Sequence, residues 1–389
     1  MDRRILVFLL LGFVSLFADI AYEGARSVVG AYIRLLGAVA LGAGLVTLGE
    51  LVGYGLRLAS GVLVGLTRSS RLLWGLVAFG YGLNAVAVPM LAYARSWNDV
   101  VALVVLERFG KAIRAPARDV VLAEVSKGIG YGKGFGIHEL LDQVGAVAGP
   151  LILAFAANVL GYRKAFLVLA VPATMALILV LVANRLYPRL EAFEYKRFER
   201  TSLGIEFWLL VAGLGVASMG FLHWSIVSYH IENLGLVPYE AIATLYAIAM
   251  LSDAIVALPM GMLYDAWGPR IVVAIPLIAM PIPILLTQRS LYTLIIVAIL
   301  WGAFMSSLET VARASIATIV PPNARPYAYG IYSFVQGVSM FLGGLIAGTL
   351  YTPSLEIVAI VFPCLCILSA LILLLAFYTS RRVASSGSV

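Results

Sequence analysis

Asp19, Glu23 and Arg26 stand in an otherwise apolar stretch at the spacing i, i+4, i+7, so a helix puts all three on one face. Two carboxylates this close do not both ionise easily, so the pair suits proton carriage or contact with a substrate. The same spacing also suits a fixed ion cluster, with Glu23 and Arg26 paired along the helix. A second stripe runs Glu107, Lys111, Arg114, Arg118, at i, +4, +7, +11. In an apolar surrounding such a stripe must face protein or a water-filled cavity. It reads either as a basic wall that attracts an anion and tunes nearby acids, or as a set of ion pairs with Asp142, Glu139 and Glu50. Arg118, near the end of the stretch, fits a gate.

Further acids extend the set. Glu139 and Asp142 are i, i+3 neighbours, and Asp142 is the deeper; a coupling role and a fixed pair with arginine both fit. Glu50 shares a face with Arg57 at i, i+7 and sits near the middle of its stretch, which makes it a protonation candidate. Asp253 is mid-stretch and isolated in sequence. Glu309 and Arg313 have the acid-first i, i+4 order of an intrahelical pair. The proton-coupling candidates are therefore Asp19, Glu23, Glu50 and Asp142. Arg26, Lys111, Arg114 and Asp253 are the substrate-contact candidates.

The elements that must hold these residues are membrane helices. Apolar residues make up 62% of the 389 and charged residues 12%, about half the share of a soluble domain. The mean hydropathy is +1.00. Apolar runs of about 20 residues recur along the chain, each long enough to cross a bilayer core of about 30 Å. Twelve spans are predicted, near 5–33, 40–65, 72–94, 98–122, 135–160, 164–186, 203–231, 240–264, 270–287, 290–317, 326–350 and 355–379. Of the 27 Lys and Arg, 15 fall on the side of the N-terminus, 5 on the other and 7 within spans. That bias predicts both termini in the cytoplasm of a cell-membrane protein. The +7 net charge then reflects retained loop cations, not nucleic-acid binding.

The polar stretch 187–202 divides the chain into a six-span half at 1–186 and another at 203–389. Gly136, Ile137, Val144, Gly149, Leu151 and Ile152 recur 194 positions later as Gly330, Ile331, Val338, Gly343, Leu345 and Ile346. Duplicated halves are typical of secondary transporters, whose binding site lies at the repeat interface near the midplane. After the eighth span stands GMLYDAWGPR, Gly261 to Arg270. Its pattern G-x-L-x-D-x-x-G-x-R resembles the loop signature of the major facilitator superfamily. The first-half copy, GVLVGLTRSSR, keeps Gly61 and Leu63 but has Gly65 where the aspartate belongs. GAVAGP, with Gly145, Gly149 and Pro150, resembles the G-x-x-x-G-P antiporter motif of the same superfamily. The run ERFGKAIRAPARD, 107–119, resembles the fourth span of prokaryotic efflux-type, drug/proton antiporter-like members.

The resemblance covers essentially the whole chain. It implies an all-α membrane protein with twelve transmembrane helices in two six-helix pseudo-repeats, working as a monomer by alternating access. It also implies a cytoplasmic gate built on Gly261, Asp265, Gly268 and Arg270, with Arg118, Glu309 and Arg313 beside it. The expected function is proton-coupled efflux of a small molecule. The alternatives are an importer or uncoupled facilitator of a small organic anion or nutrient, and a transporter-like sensor without flux. No enzyme is expected: the glycine-rich run 128–136 lacks the phosphate-loop spacing, and no H-E-x-x-H or G-x-S-x-G occurs. No cofactor is expected. Three scattered histidines and two cysteines predict no metal site. The expected partners are the substrate, protons and the bilayer.

Overall fold

The computed structural model describes residues 3–66, 69–127, 130–187, 189, 203–321, 324–352 and 354–386, with backbone only for 131–132 and 379–386. The expected linker falls almost wholly outside these residues, as do Arg68, Lys196, Arg197 and Arg200. The described residues form helices and turns without a strand. That is the outcome apolar surroundings enforce on an open chain, because a helix satisfies its own backbone hydrogen bonds.

Seventeen α-helices follow in order: α1 Arg3–Arg26, α2 Val29–Leu35, α3 Ala40–Leu45, α4 Leu48–Leu66, α5 Ser70–Met90, α6 Trp97–Ser126, α7 Tyr131–Leu160, α8 Tyr162–Val168, α9 Ala170–Leu186, α10 Ile205–Met219, α11 Trp224–Leu234, α12 Tyr239–Trp267, α13 Ala274–Ala279, α14 Pro281–Leu286, α15 Leu291–Ile319, α16 Arg325–Tyr351 and α17 Leu355–Ser386. Among the described residues, nine helical segments are long and apolar enough to cross a membrane. One of them, Tyr239–Leu286, is 48 residues long and covers the predicted span 240–264 and all but the last residue of 270–287. The helices α4 and α6 are not among the nine. They have 19 and 30 residues, so length is no obstacle; they carry the charges that concern function.

Two compact units are present. The first contains Met1–Ala38, Leu48–Lys196 and Ser228–Ala247; the second contains Val39–Thr47, Arg197–Val227 and Ile248–Val389. Within the first unit, Val7 and Leu11 of α1, Trp74 and Val77 of α5, Val121 of α6 and Val180 of α9 form one buried apolar cluster. The helix α6 begins with a reciprocal cap, in which the Ser96 hydroxyl accepts from the Asp99 amide and the Asp99 carboxylate accepts from the Ser96 amide.

The repeated glycines mark close helix approaches. A Cβ on Gly149 of α7 would stand 2.9 Å from the Gly24 nitrogen and 2.9 Å from Ile20 Cα, both on α1. In the second unit, a Cβ on Gly343 of α16 would stand 3.1 Å from Met219 Cα of α10. The two sites are equivalent in the sequence repeat, and each admits only a residue without a side chain. Gly261 of α12 faces the Thr310 methyl on α15, as Gly61 of α4 faces Pro116 on α6. Gly268 has φ +68°, the left-handed conformation that ends α12 and lets the chain turn back.

Candidate functional site

The first unit holds a chain of buried charges. It rests on α1 and α6, which run antiparallel with matching polar stripes. On α1 the stripe is Ser15, Asp19, Tyr22, Arg26; on α6 it is Glu107, Lys111, Arg114, Arg118. Both have the spacing i, +4, +7, +11, so each lies along one face. At one end, the Arg118 guanidinium donates to the Ser15 hydroxyl at 3.2 Å and pairs with its neighbour Asp119 at 2.9 Å. Further along, the Lys111 ammonium donates to the Tyr22 hydroxyl and lies 3.8 Å from the centre of that ring. At the other end, Arg26 reaches Glu50 of α4 at 3.2 Å, and Arg108 reaches the same Glu50 oxygen at 3.4 Å. Arg108 also lies 3.5 Å from Glu107, and Arg26 3.5 Å from Glu23.

Glu50 is thus held between two guanidiniums with its side chain 8% exposed. Glu23 is held by Arg26 and by the Tyr246 hydroxyl of α12, which donates to it at 2.6 Å. These pairings supply the counter-charges and donors that buried carboxylates need.

The register of the two stripes brings Asp19 level with Arg114. Asp19 is half-buried and interacts electrostatically with Asp142, Lys111, Glu23 and Arg114. Its Cβ lies 3.0 Å from where a Cβ on Gly145 would stand, so α7 passes directly against it. Arg114 is 2% exposed, lies 4.1 Å above the Tyr81 ring, and has one terminal nitrogen buried without a hydrogen-bond partner. Asp142 on α7 is 3.9 Å from the His138 ring, and its other carboxylate oxygen has no hydrogen-bond partner. The His138 ring nitrogen lies 3.0 Å from the Ser15 hydroxyl. A polar path therefore runs from Asp142 through His138 and Ser15 to Arg118 and the half-exposed Asp119.

Arg57 stacks beside Tyr54, 5.6 Å from the ring centre. Glu139 is exposed. In the second unit, Asp253 of α12 accepts from the Ser306 hydroxyl through its backbone carbonyl at 2.8 Å, and its backbone nitrogen adjoins Gly302 of α15. Glu309 is half-buried and Arg313 exposed; the Arg313 carbonyl accepts from the Tyr329 hydroxyl at 3.0 Å. Asp265 is exposed, and Arg270 lies 5.2 Å from the centre of the Phe377 ring. The GAVAGP run packs on α1, where Gly145 and Gly149 leave room for the α1 backbone.

Four members of the ladder carry no functional expectation from the sequence: Ser15, Tyr22, Tyr81 and Arg108. Ser15 and Tyr22 had a legible signal, since they complete the i, +4, +7, +11 spacing around Asp19. Arg108 lies off the α6 stripe and becomes a partner of Glu50 only because α4 packs on that side, where Gly49 would place a Cβ 2.9 Å from the Arg108 side chain. Tyr246 reads in the sequence as one of the second-half aromatics of an apolar contact surface, and nothing local marks it as a hydrogen-bond donor to Glu23.

The second half of the chain, residues 209–388, matches the family model described as Major Facilitator Superfamily. An uncharacterized protein of Mycobacterium tuberculosis is 34% identical over 385 residues, covering 96% of this chain and 93% of the relative. An uncharacterized MFS-type transporter of Methanocaldococcus jannaschii is 26% identical over 379 residues, covering 94% and 93%. Among solved structures, the nucleoside transporter NupG superposes with a TM-score of 0.74 at 14% identity, over 95% of this chain and 99% of that one. A POT family transporter in complex with a thioalcohol-conjugated peptide gives 0.74 at 15%, over 97% and 96%. At such identities the likeness to the solved structures concerns the fold. The family match across the second half, the similarity of the whole chain to an MFS-type transporter and the shared fold together support a membrane transporter of the major facilitator type.

Proposed function

We propose that the protein is a proton-coupled secondary transporter that exports a small molecule by alternating access, with Asp19 and Asp142 as its proton-carrying pair. Family and fold support secondary transport of a small molecule. The coupling rests on one observation: the buried carboxylates differ in how they are held. Glu23 and Glu50 are fixed by guanidiniums, so they serve to tie α1, α4 and α6 together. Asp19 lies against α7 at Gly145 and interacts electrostatically with Asp142 of that helix, and neither acid is in an arginine or lysine salt bridge among the described residues. Two carboxylates so placed compete for one proton, and a proton taken up there changes the charge opposite Lys111 and Arg114.

A change of charge shifts the populations of two conformations only through its different stability in each. Substrate and proton would then drive exchange by favouring opposite states. His138 and Ser15 stand between Asp142 and the Arg118 guanidinium, which stays protonated and so acts on the acid pair as a fixed positive charge. The wider frame of this proposal is a monomer in the cell membrane, with both termini cytoplasmic and two six-helix halves at 1–186 and 203–389. The gate candidates Gly261, Asp265, Gly268 and Arg270 would work at its cytoplasmic side.

A second reading, transport of an organic anion, is favoured by the buried, unpartnered nitrogen of Arg114. The experiment that tests coupling uses proteoliposomes with a pH-sensitive dye, after a thermal-shift screen has supplied a substrate. Wild-type protein should move protons when substrate is added, and Asp142→Asn should abolish uphill transport while substrate exchange continues. Unchanged uphill transport in that variant refutes the assignment. Loss of transport for acidic compounds alone in Arg114→Ala would support the anion reading.

A further inference from the structure

A cavity of about 610 Å³ lies at the start of α5, beside the end of α9, away from the charge ladder. Ser69, Arg71, Trp74, Gly75, Asn184 and Arg189 line it. Both arginines are exposed, and neither has a carboxylate partner among the described residues. The first turn of α5, a helix of 21 residues, also opens here, with Ser69 as its cap accepting from the Leu72 amide. Two free guanidiniums and the positive end of a helix give the cavity a marked preference for an anion.

Its position gives the anion a source. The segment Ser70–Tyr93 is long and apolar enough to cross a membrane, and so is Tyr162–Leu186. The cavity therefore stands at the boundary where these two segments leave the apolar layer. On the charge bias of the loops, that boundary is cytoplasmic. Trp74, whose indole donates to the Tyr187 carbonyl at 3.0 Å, closes its inner wall. Gly75 leaves it open: a Cβ added there would meet nothing within 4 Å. Next along the same helices come exposed apolar side chains, Phe79 on α5 and, three residues before Asn184, Leu181 on α9. A ligand with an anionic head and apolar chains matches that sequence of surfaces.

We propose that this cavity binds the headgroup of an anionic phospholipid, with Arg71 and Arg189 on the phosphate and the acyl chains lying along α5 and α9.

The test uses the full chain in detergent and follows thermal unfolding as phosphatidylglycerol or phosphatidylcholine is added. Phosphatidylglycerol should raise the midpoint more, and the difference should shrink with salt. In the Arg71→Gln/Arg189→Gln variant, apparent affinity for phosphatidylglycerol should fall roughly thirtyfold, taking the contribution typical of an arginine near an anionic lipid surface. Its response to phosphatidylcholine should match wild type, which also shows that the variant is folded. Equal responses of the wild type to the two lipids would overturn the proposal. So would a variant that keeps its selectivity, or inorganic phosphate reproducing the full effect.

Discussion

Replacing Glu50 by Gln tests whether the charge ladder is a desolvated structural unit. The substitution keeps the size of the side chain and one carbonyl oxygen, and removes one negative charge. That charge lies 3.2 Å from Arg26 and 3.4 Å from Arg108. At an effective dielectric of about 20, each attraction is worth about 5 kcal/mol before desolvation is counted. Breaking a buried pair from one side costs about 3–5 kcal/mol, because the remaining charge stays buried. Here each guanidinium keeps another acid, Glu23 for Arg26 and Glu107 for Arg108, both at 3.5 Å. The loss should therefore lie near the lower limit, at about 3 kcal/mol. Equilibrium unfolding in mixed detergent micelles reads that loss. The Glu50→Gln/Arg108→Gln double variant should cost less than the sum of the single variants, since they share one interaction. A loss below about 0.5 kcal/mol for Glu50→Gln would mean that the guanidiniums are solvated, and the reasoning about Glu23 and Glu50 as fixed ties would fail.

Gly149→Ala should destabilise the protein by about 1–3 kcal/mol, because the new methyl would meet backbone atoms of α1 that cannot turn aside. The same unfolding assay checks it, and a neutral result would mean that α1 and α7 are not in close contact there. Tyr246→Phe should cost about 1.5–3 kcal/mol, the usual worth of a hydrogen bond to a charged group. An unchanged midpoint would show that Tyr246 does not hold the Glu23 carboxylate in solution.

Membrane character, helical class and the duplication were legible in the sequence because they depend on properties that add up along the chain. Length and apolarity fix the number of crossings a segment can make, and a repeat is visible as spacing. The polar faces of α1 and α6 were legible for the same reason, since a helix has one period and Asp19, Lys111 and Arg114 follow it. Partner choice was not legible. Two stripes with matching spacing can pair in several registers. Packing against α4 brings Glu50 to Arg26 and Arg108, and packing against α7 sets Asp19 beside Gly145. Likewise, Arg118 has several acids within its reach in sequence, and the structure gives it Asp119 and Ser15. A buried charge takes whichever counter-charge the surrounding helices deliver, and that delivery is a property of three dimensions. The sequence alone therefore determined that charges lie at membrane depth on two helices; only the tertiary structure decided which of them are tied in salt bridges, and to which partners.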